Sequence, residues 1–151
     1  MSALKTRIAD AVKDAMRAKA AERLSTLRLL QAAIKQREID ERIELTDADV
    51  TAIIEKQIKQ RRESIAAYEQ AGRTETAAQE TAEMAVLKEF LPEAASEEEV
   101  AAAIDAAMSQ VQALGITGAP AMGKIMAILK PALAGRADMS ALSGKVKAKL
   151  L

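Results

Sequence analysis

Positive charge is concentrated near the carboxyl end of this chain. Between positions 124 and 149, six basic side chains are accompanied by one acid, Asp138. Clustered lysine and arginine side chains neutralise phosphate groups, which is the general origin of affinity for nucleic acids. Lys147 adds to this charge. The residues that we predict to bind nucleic acid are Lys124, Lys130, Arg136, Lys145 and Lys149.

The local pattern leaves three interpretations open. Lys145 and Lys149 are four residues apart, so a helix would place them on one face. Arg136 follows Gly135 in a predicted turn, where backbone amides can approach an anion. However, lysines late in a helix are also favoured by the helix dipole. The cluster could therefore bind nucleic acid, meet an acidic partner or the acidic middle of the chain, or form an ordinary solvated surface.

The net charge of zero conceals a strong segregation of charge along the chain. Residues 1–62 carry 14 basic and 10 acidic side chains, residues 63–110 carry 2 and 11, and residues 111–151 carry 6 and 1. Both ends are basic and the middle is acidic. Segregation of this kind creates local electric fields that select charged partners.

The composition excludes several kinds of catalytic site. The chain has no Cys and no His, which removes thiol nucleophiles, imidazole bases and the common zinc sites. It also lacks the glycine-rich phosphate loops and the nucleophile-elbow motif. Three consecutive acids, Glu97 to Glu99, are explained by their position in the first turn of a predicted helix. We therefore predict no catalytic residue, no metal site and no cofactor in this chain.

Two other features are interpreted as structural. The basic residues of the third predicted helix, with Glu55 and Glu63 as local partners, resemble a solvated face. Tyr68 and Phe90 are the two aromatic residues, and each lies on or near an apolar stripe. We expect them to pack in a core and not to stack on bases, which requires exposed rings. The basic residues in question are Lys56, Lys59, Arg61 and Arg62.

The first residues lead directly into a charged amphipathic pattern, without the apolar run of a signal peptide. No window approaches 18 consecutive apolar residues, so no membrane span is predicted. The absence of Cys is compatible with a reducing compartment. We expect a cytoplasmic protein without contact to a membrane.

Apolar residues recur with the helical period throughout, and the aromatic and β-branched enrichment typical of strands is missing. The sequence therefore predicts an all-α protein. Ser2 caps the first helix, which loosens near residue 18. The predicted helices that follow span about 22–42, 47–71, 74–90, 97–114 and 120–130, with a last helix capped by Asp138 or Ser140.

Pro92 marks the best candidate domain boundary, because proline disfavours helix at the preceding residue and Ser96 starts a new helix shortly afterwards. We predict an N-terminal multihelical domain of long helices over 1–92 and a small three-helix domain over 96–151. Breaks at Gly72, Gly115 and Pro131 argue against one continuous coiled coil.

Several segments, in this order along the chain, resemble the GatB/YqeY family and its free-standing YqeY-like members. No single segment is specific, but the set spans nearly the whole chain. The segments are Glu22-Arg-Leu-Ser-Thr-Leu-Arg-Leu-Leu, Lys59-Gln-Arg-Arg-Glu-Ser, Tyr68-Glu-Gln-Ala-Gly-Arg, Glu83-Met-Ala-Val-Leu-Lys-Glu-Phe-Leu-Pro, Met122-Gly-Lys-Ile-Met and Gly135-Arg-Ala-Asp.

The resemblance implies a C-terminal three-helix, UBA-like domain similar to the tail of the B subunit of the glutamine-dependent tRNA amidotransferase, a carbon–nitrogen ligase. In that enzyme the tail contacts tRNA, whereas ammonia production and amide transfer lie in other domains and another subunit. The implied partners are tRNA and possible assemblies with the amidotransferase or an aminoacyl-tRNA synthetase. The residues implied to face tRNA are Lys124, Arg136, Lys145 and Lys149.

One position departs from the family pattern. The family often has an acid just before Met-Gly-Lys, where this chain has Ala121 after Pro120. We therefore expect the sixth helix to be capped by another residue, such as Thr117. An alternative to RNA binding is a protein–protein adaptor whose charged segments meet complementary proteins.

Overall fold

The structure is a computed structural model that describes residues 2–151. This part of the chain forms seven α-helices and no β-strand. The prediction of an all-α protein is thus confirmed. The helices are α1 (Ala3–Arg17), α2 (Ala21–Glu41), α3 (Asp47–Gln70), α4 (Thr74–Lys88), α5 (Glu97–Ala113), α6 (Ala119–Ala132) and α7 (Met139–Leu150).

The helices begin largely where polar caps predict. The side chains of Ser2, Thr46, Ser96 and Asp138 each accept a hydrogen bond from a backbone amide in the first turn that follows. Such bonds satisfy amides that have no partner inside the helix. Asp49 also accepts a bond from the Thr46 amide, which completes a capping box at the start of α3.

Helix α6 differs from its prediction at both ends. It starts at Ala119, and its N-cap is Gly118, with a φ of 72° and no side-chain hydrogen bond. The prediction that Thr117 caps this helix is wrong. The helix also continues through Pro131 to Ala132 instead of ending near residue 130. Pro131 has no amide hydrogen, so the carbonyl of Ala127 loses its helical hydrogen bond. Ala127 is exposed, and water can donate to this carbonyl instead.

The contacts divide the chain into two compact units. Unit 1 is Met1–Leu91 and unit 2 is Pro92–Leu151. That each unit folds on its own as a domain stays a prediction.

Unit 1 has an aliphatic core contributed by all four of its helices. Phe90 is buried in it, as predicted. Tyr68 is only half-buried, and the Cζ atom of Arg73 lies 5.5 Å from the centre of its ring. Most of its buried residues are leucine and isoleucine, and the burial of apolar surface is the main stabilising contribution to folding. Its largest fully buried side chains are Ile8, Leu27, Leu30, Leu45, Ile54 and Leu87.

An ion pair joins α3 to α4, the two helices that pack most extensively in unit 1. Arg61 donates to Glu80 at 3.0 Å and also to Glu83. The Arg61 side chain is only 15% exposed. The predicted local partners Glu55 and Glu63 are therefore not the partners of Arg61, because its side chain points towards α4. Periodicity along α3 alone could not reveal acids on a different helix.

Replacing Arg61 with Met should destabilise unit 1. The substitution keeps the aliphatic volume but leaves two neighbouring carboxylates without their shared cation. We expect a loss of about 2 kcal/mol, which is typical of hydrogen bonds to charged groups. Urea unfolding followed by tyrosine fluorescence measures it. Arg62→Met is the matched control, since Arg62 is exposed. An equal effect of both substitutions would contradict a specific role of the ion pair.

Candidate nucleic-acid interface

The positions of the lysines in unit 2 follow from which sides of α6 and α7 are buried. Ala121, Ile125 and Leu129 of α6 are buried, as are Leu142 and Val146 of α7. They join buried residues of α5 in one core. The core thus fixes two helices whose remaining sides carry the positive charge of this segment.

Three of the predicted binding residues extend into solvent. Lys124 and Lys130 on α6 and Lys145 on α7 are exposed. Within residues 2–151 none of the three side chains makes a hydrogen bond or an ion pair. Lys147 of α7 is exposed as well. We call Lys124, Lys130 and Lys145 the exposed lysine set.

Arg136 lies in the turn between α6 and α7 and holds the start of unit 2 in place. Its Nε donates to the carbonyl of Glu93 at 3.0 Å, and its Nη2 donates to Glu99 Oε2 at 2.6 Å. The Ala95 amide donates to the Arg136 carbonyl at 2.8 Å. About one third of the side chain remains exposed. This residue therefore has a structural role that the sequence pattern did not reveal.

The pairing changes the acidity of Glu99. The hydrogen bond and the positive charge of Arg136 lower the pKa of Glu99 from its ordinary value of 4.5, against the opposing effect of partial desolvation. The Ser96 side chain accepts from the Glu99 amide at 3.1 Å. Arg136 thus already has a carboxylate partner within unit 2.

Lys149 is also paired within unit 2. Its Nζ donates to Asp105 of α5 at 2.6 Å, although both side chains are well exposed. An exposed pair of this kind contributes little to stability and exchanges readily with water. Arg136 and Lys149 are therefore neutralised in part by acids of α5, and the unpaired charge is carried by the exposed lysine set together with Lys147.

The Arg136–Glu99 pair predicts a pH dependence of stability. The pKa of Glu99 is lower in the folded than in the unfolded chain, so the pair stabilises the folded state at neutral pH, and this contribution is lost as the pH falls through the lowered pKa. The difference in urea midpoint between the wild type and Glu99→Gln should be largest near pH 7 and vanish in acid.

Urea unfolding at pH 7 and below pH 4 measures this difference, with the midpoint of unit 2 taken from the circular dichroism transition that tyrosine fluorescence of unit 1 does not show. The effect should be small because both side chains are partly exposed. The matched control is Glu98→Gln, which changes an exposed acid in the same helical turn. A Glu99→Gln difference that persists unchanged in acid would contradict the assigned pair.

The surface near Arg136 and Lys145 contains a cavity of about 190 Å³. Glu97 and Asp138 line it together with apolar residues of α5 and α7. Pockets that enclose drug-sized ligands measure roughly 300–1,000 Å³. The cavity is smaller than that and contains charges of both signs. The cavity is therefore too small to enclose a drug-sized molecule.

In the part of the chain that the structure describes, no group of three or more acidic side chains is arranged to hold a metal ion. Among the described helices, none combines the length and apolar character that crossing a bilayer requires. The Glu97 to Glu99 run lies in the first turn of α5, as predicted.

Comparison with known proteins supports the resemblance seen in the segments. The sequence model of the family described as YqeY-like protein matches residues 5–150. The chain belongs to the YqeY-like family. The match covers nearly the whole chain, including both units and the exposed lysine set.

A curated relative of this YqeY-like chain is an uncharacterized protein of Schizosaccharomyces pombe. The two are 31% identical over 83 residues, which is 55% of this chain and 68% of the relative. Its name assigns it no activity. Family membership is thus shown by the match over nearly the whole chain.

Proposed function

We propose that this YqeY-like protein binds tRNA through the exposed lysine set of unit 2 and acts as a non-catalytic accessory of tRNA-dependent amidation. The observation that carries the proposal is the exposure of Lys124, Lys130 and Lys145 without an acidic partner among the described residues. They belong to a segment with six basic residues and one acid. Such a surface attracts phosphates and releases their counterions.

The family resemblance narrows the polyanion to tRNA. YqeY-like proteins are similar to the tail of the amidotransferase B subunit, and that tail contacts tRNA. The proposed role is binding because the chain has neither His nor Cys and none of the recognised catalytic motifs. A complex with the amidotransferase or an aminoacyl-tRNA synthetase, a cytoplasmic location and a UBA-like character of unit 2 belong to the same proposal.

Fluorescence anisotropy with labelled total tRNA tests the proposal directly. With about three phosphate contacts, the logarithm of the association constant should fall linearly with the logarithm of salt concentration, with a slope of roughly −3. The range from 50 to 200 mM salt is suitable. A DNA duplex of equal charge is the control for unselective binding. Absence of tRNA binding at 50 mM salt would refute the proposal.

A second candidate function is a protein–protein adaptor. Apolar side chains in and just after α2 extend into solvent: Leu29 is 58% exposed, Ile39 60% and Ile43 47%. Exposed apolar groups that form a patch often mark protein interfaces. Pull-down from nuclease-treated extract, with wild type and a Leu29→Ser, Ile39→Ser variant, separates the candidates. Partners that survive nuclease and are lost with the variant favour the adaptor.

A further inference from the structure

Helices α6 and α7 share a feature that the fold of unit 2 does not explain. Each has a glycine in its interior that is followed directly by a lysine, as Gly123-Lys124 and Gly144-Lys145. All four residues are exposed. Both lysines belong to the exposed lysine set.

The backbone does not require glycine at either position. The described glycines with positive φ are Gly72, Gly115, Gly118 and Gly135, where a side chain would be strained. Gly123 and Gly144 are absent from that group and have ordinary helical conformations. A helix with glycine in its interior is less stable than the same helix with alanine, because glycine loses more conformational freedom on folding.

Packing does not require glycine either. A Cβ atom added at Gly123 or at Gly144 would meet no heavy atom within 4 Å beyond its neighbours and its own helix backbone. Alanine would therefore fit at both positions and stabilise both helices. Neither the backbone conformation nor the packing of unit 2 therefore explains why these two positions are glycine.

Both glycines lie in the middle of the solvent-facing side of their helix. Gly123 is two residues from buried Ala121 and from buried Ile125, and each step of two residues rotates the helix by about 200°. Gly144 has the same relation to Leu142 and Val146. These are the places where an external surface lying on the helix would make its closest approach.

We propose that Gly123 and Gly144 are points at which the RNA backbone lies directly against α6 and α7, a proposal that rests on the proposed function. Because glycine has no Cβ atom, the ribose–phosphate chain can approach the helix axis more closely at these two positions. The gain is one C–C bond length, ~1.5 Å. The adjacent Lys124 and Lys145 then reach the phosphates at shorter distance, where the attraction is stronger.

Charge favours RNA over a protein as the occupant of this surface. Each glycine has an unpaired lysine as its neighbour, and residues 111–151 carry six basic residues against one acid. A protein helix packed against the glycines would have to desolvate these lysines unless it supplied an acid for each of them. A polyphosphate backbone supplies a regular row of negative charges.

The test uses the full-length chain with Gly123→Ala, Gly144→Ala and the double variant. We expect each substitution to raise the melting temperature by roughly 3 °C, in keeping with the higher helix propensity of alanine. We expect the double variant to bind labelled tRNA roughly tenfold more weakly than the wild type. Gly123→Gln places a longer helix-forming side chain at the same point and should weaken tRNA binding more than Gly123→Ala does.

A matched control separates contact from stabilisation. Ser109→Ala raises the helix propensity of α5 at another exposed position and should leave tRNA affinity unchanged. The inference is overturned if the wild type binds tRNA with the expected salt dependence but the glycine variants bind tRNA as tightly as the wild type. A lower melting temperature of the alanine variants would also overturn it. If the wild type fails to bind tRNA, the proposed function itself fails.

Discussion

Replacing Lys124, Lys130 and Lys145 together with alanine is expected to weaken tRNA binding by roughly 100-fold at low salt. All three ammonium groups are exposed and unpaired within residues 2–151. Two unit charges at 4 Å in water attract with about 1 kcal/mol, so three lost contacts amount to about 3 kcal/mol. The salt dependence should become flatter by about three units of slope, one for each phosphate contact.

A charge-matched variant tests whether the location of the lysines matters. Lys13, Lys56 and Lys59 are exposed lysines of unit 1, and their replacement with alanine changes the net charge by the same amount. We expect this control to bind nearly as tightly as the wild type. Equal losses in the two triple variants would contradict the assigned face and would indicate attraction by overall charge. Circular dichroism of both variants excludes unfolding as the cause.

Arg136 would be a poor substitute in that experiment. Its guanidinium donates to Glu93 and Glu99, and its carbonyl accepts from Ala95. Arg136→Ala would therefore disturb the start of unit 2 as well as remove a charge. A loss of binding in Arg136→Ala could come from the disturbed structure or from the lost charge. A loss of binding after substitution of the exposed lysine set comes from the lost charge alone.

The helices could be predicted because their signals are local. Ser2, Thr46 and Ser96 cap helices as predicted, since a cap depends only on the next three residues. The last helix is capped by Asp138, one of its two predicted candidates. The apolar period likewise identified most buried positions. The start of α6 could not be predicted in this way, because Gly118 caps it without a side chain.

The pairing of charges could not be predicted from the sequence. Arg61 meets acids on α4, Arg136 meets Glu99, and Lys149 meets Asp105. The partners in the last two pairs are 37 and 44 positions apart in the sequence. These pairs therefore depend on how the helices pack and not on a local pattern. The sequence predicted a basic segment, and the structure shows which of its members remain unpaired in unit 2.

The substitution Leu129→Ala is expected to destabilise unit 2 by about 2–5 kcal/mol. Leu129 is fully buried in the core of that unit, and its truncation removes apolar contacts and leaves a cavity. A unit of this size has a stability of roughly 3–9 kcal/mol at 0.05–0.15 kcal/mol per residue. The substitution should thus bring unit 2 close to unfolding even without denaturant.

The position of the aromatic residues allows the two units to be followed separately. Tyr68 and Phe90 are the aromatic residues of the chain, and both lie in unit 1. Tyrosine fluorescence therefore reports unit 1, whereas far-ultraviolet circular dichroism reports the helices of both. In Leu129→Ala, part of the dichroism should be lost at low urea while the Tyr68 transition stays at its wild-type midpoint.

The reverse substitution completes the comparison. Leu27 is fully buried in unit 1, so Leu27→Ala should shift the Tyr68 transition and leave the remaining helical transition in place. Tyr68 transitions that move equally in both variants would contradict independent folding, because the units would then unfold as one cooperative body. Separate transitions would mean that the lysine-bearing unit can unfold while unit 1 stays intact, so tRNA binding should be lost with Leu129→Ala and the Tyr68 signal kept.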